Sequence, residues 1–237
     1  MNLIDRIPEP VVVWEDRHLI AVNKPPGMPT QGDDSGDPTL VDWVQAYLRT
    51  TYNKPGDAYV ALLHRLDRPT GGIILLAKRS KAAQRMSELF KKRRVEKTYL
   101  AVVPGRLRKR SDELRHYLDK VPGKTNIMRA YPKPGPGRKE AQLSYLVVAE
   151  AEGHSLLEVR LMTGRKHQIR VQLGAIGFPV IGDLRYGRGK PLPDRSIGLL
   201  AQRLQFIHPV GEPENIDVRI SIPSRTPWRR FGDLVLG

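Results

Sequence analysis

Cysteine is absent from the 237 residues, which removes thiolate nucleophiles, disulfides and thiolate zinc sites together. Histidines stand at 18, 64, 116, 154, 167 and 208, with no pair at HExxH spacing, so no metal is expected. Neither G-x-x-x-x-G-K-[ST] nor G-x-G-x-x-G occurs, which leaves nucleotide triphosphates and dinucleotides without their usual cradles. No apolar run approaches the roughly 20 residues of a membrane helix, and Met1–Pro10 lacks the basic-then-apolar order of a secretory leader. A soluble, cytoplasmic, monomeric protein without cofactor is the expectation.

Acidic residues are also few. Against 40 Lys+Arg there are 25 Asp+Glu, for a net charge of +15 and a pI near 10.2. A polyanion partner is the default inference, nucleic acid first. Residues 78–110 hold thirteen Lys/Arg against Glu88 and Glu96 alone. A helix with its basic side in water would read similarly, but the concentration favours a surface that tracks phosphates.

What is present centres on His64-Arg65-Leu66-Asp67-Arg68-Pro69-Thr70-Gly71-Gly72, followed by the apolar run Ile73–Ala77. Such a continuous run predicts a strand covered on both faces. Pro69 has no N–H to donate, and Gly71-Gly72 allow backbone angles other residues avoid. Asp67 therefore sits on a loop at the edge of a rigid element, where a site residue is both exposed and held. The bland alternative is a turn cap paired with Arg65 or Arg68 at the surface.

Around that stretch, Val11–Trp14 and His18–Val22 read as a hairpin, and Asn23-Lys24-Pro25-Pro26-Gly27 opens a long loop to Pro38. Lys24 has two readings there, a phosphate contact or a solvated charge. Thr39 is placed to cap a helix to about Arg49, and Ser80 one to about Arg93. Thr98–Val103 predicts a strand carrying Tyr99; Ala141–Ala149 and Ser155–Leu161 predict a hairpin about Glu152-Gly153-His154. Residues 106–137 carry only weak strand patterns. Arg165, Lys166 and Arg170 stand at the start of a short helix, where three donors suit anion or carboxylate binding. Strands at Leu199–Ile207 and Val218–Ile222 complete the sheet. No repeat or linker divides the chain, so one domain over residues 1–237 is expected.

Taken together, these motifs resemble the RluA-type pseudouridine synthases. His64–Lys78 is similar to that family's H-R-L-D-x-x-T-S-G loop with its strand, and Asn23–Gly27 to N-K-P-x-G. Lys97-Thr98-Tyr99-Leu100-Ala101 resembles K-x-Y-x-A, and Thr163–Arg170 with Gly182-Asp183 and Tyr186-Gly187 resembles T-G-R-x-H-Q-I-R and its G-D-x-x-Y-G sequel. Gly71 stands where the family usually has Ser, Gln31 where His often closes the first motif, and Leu200 where His is usual in L-H-A. The small N-terminal RNA-binding module of many relatives is expected to be missing.

The resemblance implies an α+β pseudouridine synthase catalytic domain: a mixed, largely antiparallel central sheet flanked by helices and loops, with an RNA cleft on one face. It implies isomerisation of uridine to pseudouridine in structured RNA, ribosomal or transfer, with no cofactor. It makes Asp67 the nucleophile, Arg165 the cation that orients it, and Tyr99 the ring that stacks on the uracil near C5. Ile169 walls the pocket, and Arg65 enters the space that the flipped base leaves. Lys24, Lys166 and Arg170 remain as substrate contacts. Two other readings stay open: an RNA-binding protein that kept the fold without catalysis, and a nucleic-acid glycosidase using Asp67.

Overall fold

Every residue of Gly71–Ala77 is buried, as a continuous apolar run with both faces covered requires. The computed structural model describes residues 7–53 and 55–232. In chain order its elements are β1 (Val11–Glu15), β2 (Leu19–Lys24), α1 (Leu40–Thr51), β3 (Ala61–Leu62), β4 (Gly71–Ala77), α2 (Ser80–Lys91) and β5 (Glu96–Pro104). Then follow β6 (Ser111–Lys120), β7 (Met128–Tyr131), β8 (Lys139–Ala151), β9 (His154–Leu161), α3 (Gln168–Ala175), β10 (Leu199–Ile207) and β11 (Asn215–Arg219). Of the Met1–Pro10 stretch read for a leader, residues 1–6 lie outside the described residues. Among the described residues no helix is long and apolar enough to cross a membrane.

The chain folds into two compact units. One gathers the described residues up to Glu96 with Ala201–Ile220; the other gathers Lys97–Leu200 with those from Ser221. In the first, strands run in the order β1-β2-β4-β10, with β3 beside β4 and β11 beside β10. The β1–β2, β2–β4, β3–β4 and β10–β11 pairs are antiparallel. In the second unit the order is β5-β9-β8-β6-β7, again in antiparallel pairs. The expected α+β class with a largely antiparallel sheet is borne out.

Local chemistry explains most boundaries. The Thr39 hydroxyl accepts from the Asp42 N–H at 3.2 Å, while the Asp42 carboxylate accepts from the Thr39 N–H at 2.9 Å. This reciprocal box fixes the start of α1, which buries Leu40, Val44 and Leu48 on one stripe. The β8–β9 hairpin turns where expected, with Glu152 and Gly153 at positive φ.

Three boundaries differ from the sequence reading. Ser80 is the first residue of α2 and does not cap it; Arg79 holds the cap position without a side-chain bond. The last strand runs Asn215–Arg219, three residues earlier than read, because it pairs with Ile207–Arg203. The weak patterns in residues 106–137 are the real strands β6 and β7. Only Leu114 and Leu118 of β6 are buried, so the strand shows almost no apolar signal.

Gly72 lies against the backbone of β10. Its φ is +120°, and a Cβ there would lie 2.3 Å from the Ala201 carbonyl oxygen. Glycine lets β4 and β10 pack flush at the point where the Asp67 loop enters the sheet.

Candidate active site

Asp67 sits half-buried, three residues before a buried Thr70, on a loop with three successive carbonyls engaged. The Leu66 carbonyl accepts from the Thr30 hydroxyl at 2.9 Å, the Asp67 carbonyl from the Thr70 N–H at 2.9 Å, and the Arg68 carbonyl from the Gly27 N–H at 2.8 Å. His64 Nε2 accepts from the Leu75 N–H at 3.0 Å, tying the start of the loop to β4. The Asn23–Gly27 motif and the His64–Gly72 motif therefore form one rigid mount. Their juxtaposition gives both motifs a reason to exist.

Arg68 does not serve as the surface partner of the bland reading. Its Nε donates to the Gly27 carbonyl at 2.8 Å and one terminal nitrogen to the Ser35 hydroxyl at 3.1 Å. The other terminal nitrogen pairs with Asp37, and Asp33 lies 3.8 Å away. Its guanidinium straps the long loop after Gly27 to the Asp67 loop. Arg65, by contrast, is exposed, open to a substrate contact.

Lys24 is fully buried, so it is neither the solvated charge nor the phosphate contact that the sequence suggests; its ammonium faces the protein's own carbonyls. Its Nζ donates to the carbonyls of Pro25 at 2.9 Å, Met28 at 2.8 Å and Arg68 at 3.3 Å. Three acceptors match the three N–H bonds of an ammonium. Burial pulls this ammonium down from its usual 10.5 to about 7, with the Asp67 carboxylate opposing that shift. Below about pH 7 the whole cost of a buried charge is present. Between about 7 and 10.5 the unfolded chain holds a proton that the folded chain has shed, so stability rises with pH across that window.

Lys24→Met, which takes a donor from the Pro25, Met28 and Arg68 carbonyls, the last of which keeps the Gly27 N–H, is expected to lower stability by about 2–4 kcal/mol. Urea titrations at a pH below 7 and at one near 9 check it. The wild type's margin over the variant should widen toward the higher pH, and equal midpoints would show that the carbonyls find other donors.

The second unit carries the remaining motif residues. Tyr99 is 7% exposed on β5, in register with Val159 of β9. In the Thr163–Arg170 stretch, Gln168 organises the turn. Its Oε1 accepts from the Thr163 hydroxyl at 2.8 Å and the Arg165 N–H at 2.9 Å, while its Nε2 donates to the Gln142 carbonyl at 3.0 Å. His167 takes a left-handed conformation immediately before α3. Ile169 is buried, and Val171 packs with Leu118 and Ala141.

The three cations of that stretch part company. Arg165 is exposed and donates from Nε to the Glu140 carbonyl at 2.8 Å. Lys166 reaches the Asn126 side chain. Arg170 is buried and grips Asp183 with two bonds, at 2.6 and 2.9 Å. In the sequence, Asp183 and Tyr186 stand only as parts of a motif. Asp183 also accepts from the Arg185 N–H at 3.0 Å, and the Tyr186 hydroxyl accepts from the Met128 N–H at 3.0 Å and meets His167 Nδ1 at 2.7 Å. The Gly-Asp and Tyr-Gly pairs were the available signal. What they support could be seen only with the loops in place.

Comparison with known proteins adds the family. The family described as RNA pseudouridylate synthase matches residues 18–175, a span that includes the Asp67 mount and the whole Thr163–Arg170 turn. The chain belongs to that family. A tRNA pseudouridine synthase C of Pectobacterium carotovorum is 33% identical over 93% of this chain and 62% of its own length. A ribosomal large subunit pseudouridine synthase C of Rickettsia bellii is 33% identical over 81% of this chain and 62% of its own. The chain thus spans less than two thirds of each of these pseudouridine synthases. Among solved structures, human RNA pseudouridylate synthase domain containing 1 superposes with a TM-score of 0.71 at 26% identity, covering 92% of this chain and 85% of that one.

Proposed function

We propose that this protein is an RNA pseudouridine synthase, working as one catalytic domain over residues 1–237 on uridine in ribosomal or transfer RNA. The observation that carries the reading is the Asp67 mount. A partly exposed carboxylate stands on a loop whose three successive carbonyls are all bonded, in a chain that matches the family across that loop. Two relatives named for transfer and ribosomal RNA supply the substrate class, and the net charge of +15 suits either.

The reaction is an isomerisation. The bond from ribose C1′ to uracil N1 breaks, the base turns, and C1′ bonds to C5; N1 gains a proton and C5 loses one. Nothing is oxidised and no group enters, so the work is participation by a carboxylate, orientation and one proton removal. Asp67 supplies the carboxylate. The motif correspondence gives Tyr99 the uracil and its C5 proton, Arg165 the charge that aims Asp67, Ile169 the pocket wall, and Arg65 the flipped base's vacated place. Lys166, which is exposed, serves the substrate's phosphates; Arg170, expected from the sequence to share that role, is instead buried and committed to Asp183.

Pseudouridine mapping of total cellular RNA with and without the protein tests the function. At least one uridine should lose its modification in the protein's absence; an unchanged map sinks the reading. Arg165→Lys tests the orienting role. A point charge cannot copy a two-pronged guanidinium, so the rate should fall about ten- to a hundredfold, with the melting temperature unchanged because Arg165 is exposed. Full activity would remove Arg165 from the reaction and turn attention to Arg170, whose replacement would also disturb Asp183.

A further inference from the structure

A second feature lies in the first unit, away from the Asp67 loop. A groove of about 1110 Å³ opens between α2 and the β10–β11 pair, lined by residues of all three elements and the turn after α2. Lys81, Gln84, Arg85 and Glu88 recur at helical spacing on the exposed stripe of α2, while Ala82, Ala83 and Met86 bury the opposite one. Arg93 and Arg94 extend the cationic wall beyond the helix end, and Phe206 and Ile207 add apolar lining. Gly72 abuts Ala201 near the start of β10, and Ile207 closes that strand. At about 3.3 Å per residue, the groove's lining of β10, from Gln205 to Ile207, lies roughly 13–20 Å from the point where the Asp67 loop enters the sheet. That is too far for the target nucleotide itself to reach, and within reach of an adjoining stem.

Three observations distinguish this face from a merely solvated one. Of its three carboxylates, Asp217 is paired with both prongs of Arg203, and Glu88 has the Lys91 ammonium at 4.0 Å. Arg85 spans the groove to the Pro209 carbonyl at 2.8 Å, so its charge is held there. Arg93 has a φ of +56°, with its N–H on the Phe90 carbonyl at 3.1 Å and the Arg94 N–H on the Leu89 carbonyl at 2.9 Å. This is the helix-ending motif that normally selects glycine. An arginine here keeps a charge at the groove against the preference of its own backbone.

We infer that this groove binds the phosphodiester backbone of the substrate RNA outside the target nucleotide, through Lys81, Arg85, Arg93 and Arg94. The inference rests on the pseudouridine synthase reading for the identity of the polyanion.

The decisive variant is Arg93→Gly, which suits the backbone better while removing the charge. It should melt at or above the wild-type temperature yet bind RNA more weakly, a pairing of signs that a structural role for Arg93 does not produce. A second variant, K81Q/R85Q/R93G/R94Q, should lower affinity at least tenfold for transcripts of transfer RNA and large-subunit ribosomal RNA. It should flatten the slope of log affinity against log salt by about 3–3.5, for four contacts at roughly 0.7–0.9 each. The pseudouridine rate at saturating RNA should match wild type. The shortest stem-loop that the wild type still modifies should bind both proteins alike.

Affinity and salt slope unchanged in the fourfold variant would overturn the inference, as would an equal loss on the shortest stem-loop. Wild-type protein run alongside separates the two readings. If it makes no pseudouridine in any transcript, the functional reading fails whatever the groove does; if it is active and the variant binds normally, only the groove inference fails.

Discussion

Asp67→Asn should give a folded, RNA-binding protein that makes no pseudouridine. Folding should survive because the substitution keeps the side chain's shape and leaves the loop's anchoring bonds intact. Those bonds end on the backbone carbonyls of Leu66, Asp67 and Arg68, none of which the substitution alters. Chemistry should not survive, because an amide neither carries the charge nor forms the bond that a carboxylate can. The rate should fall by about 10³-fold or more, as when other enzymes lose their nucleophile. Far-ultraviolet circular dichroism checks the fold, filter binding checks the RNA, and pseudouridine mapping of the transcript checks the product. Activity near wild type would make Asp67 a structural residue and revive the idea of an RNA binder that kept the fold. Free uracil released by the wild type would instead point to a glycosidase.

Gly72→Ala should fail to give a stable protein. Two independent obstacles act at one atom. The backbone at +120° lies where side chains are rarely accommodated, and the new methyl carbon would sit 2.3, 2.6 and 2.8 Å from the oxygen, nitrogen and carbonyl carbon of Ala201. Those atoms are backbone of β10, which is bonded to its neighbours and cannot swing away as a side-chain tip can. Relief requires pulling β4, buried along its length, from the buried first four residues of β10. The cost should exceed the ~1–3 kcal/mol of ordinary substitutions, lowering the melting temperature by more than about 10 °C or leaving the protein insoluble. Gly71→Ala is the control. Its methyl would meet Pro26 Cδ at 3.2 Å and the Lys24 carbonyl at 3.4 Å, contacts that a shift of a few tenths of an ångström relieves. If both variants melt within a few degrees of wild type, β4 and β10 are not packed this closely.

How much of this was legible in the sequence depended on how local its cause was. The strand β4 could be read because five consecutive apolar residues leave little else for the chain to do. The start of α1 could be read because Thr39 and Asp42 make their reciprocal bonds within one turn. By contrast, β6 was faint because its buried residues are two among ten, and the rest, exposed or partly buried, are charged, polar or Tyr117. Lys24 was ambiguous for a different reason. Two of its acceptors are close in sequence, but the third, the Arg68 carbonyl, comes from a loop 44 residues on, and only folding shows that the ammonium is enclosed. The same distance hid the work of Arg68, whose neighbour Asp67 was the obvious partner and whose bonds go to residues 27, 35 and 37. Within Thr163–Arg170 the three cations looked equivalent. Their separation into an exposed one, one tied to Asn126 and a buried one follows from Asn126 and Asp183, which lie outside the stretch.

The bonded carbonyls of Leu66, Asp67 and Arg68 also set what heat does to this protein. Loops ordinarily loosen well below the temperature at which a domain melts, and an active-site loop then goes slack while the core stays intact. Here the Gly27 and Thr70 amide hydrogens are held by carbonyls of the loop itself, and the Thr30 hydroxyl and Lys24 ammonium bond to it from buried positions. To free the carboxylate carrier is to open the floor of the first unit. The loop therefore belongs to the same cooperative block as β2 and β4, and it lets go when they do.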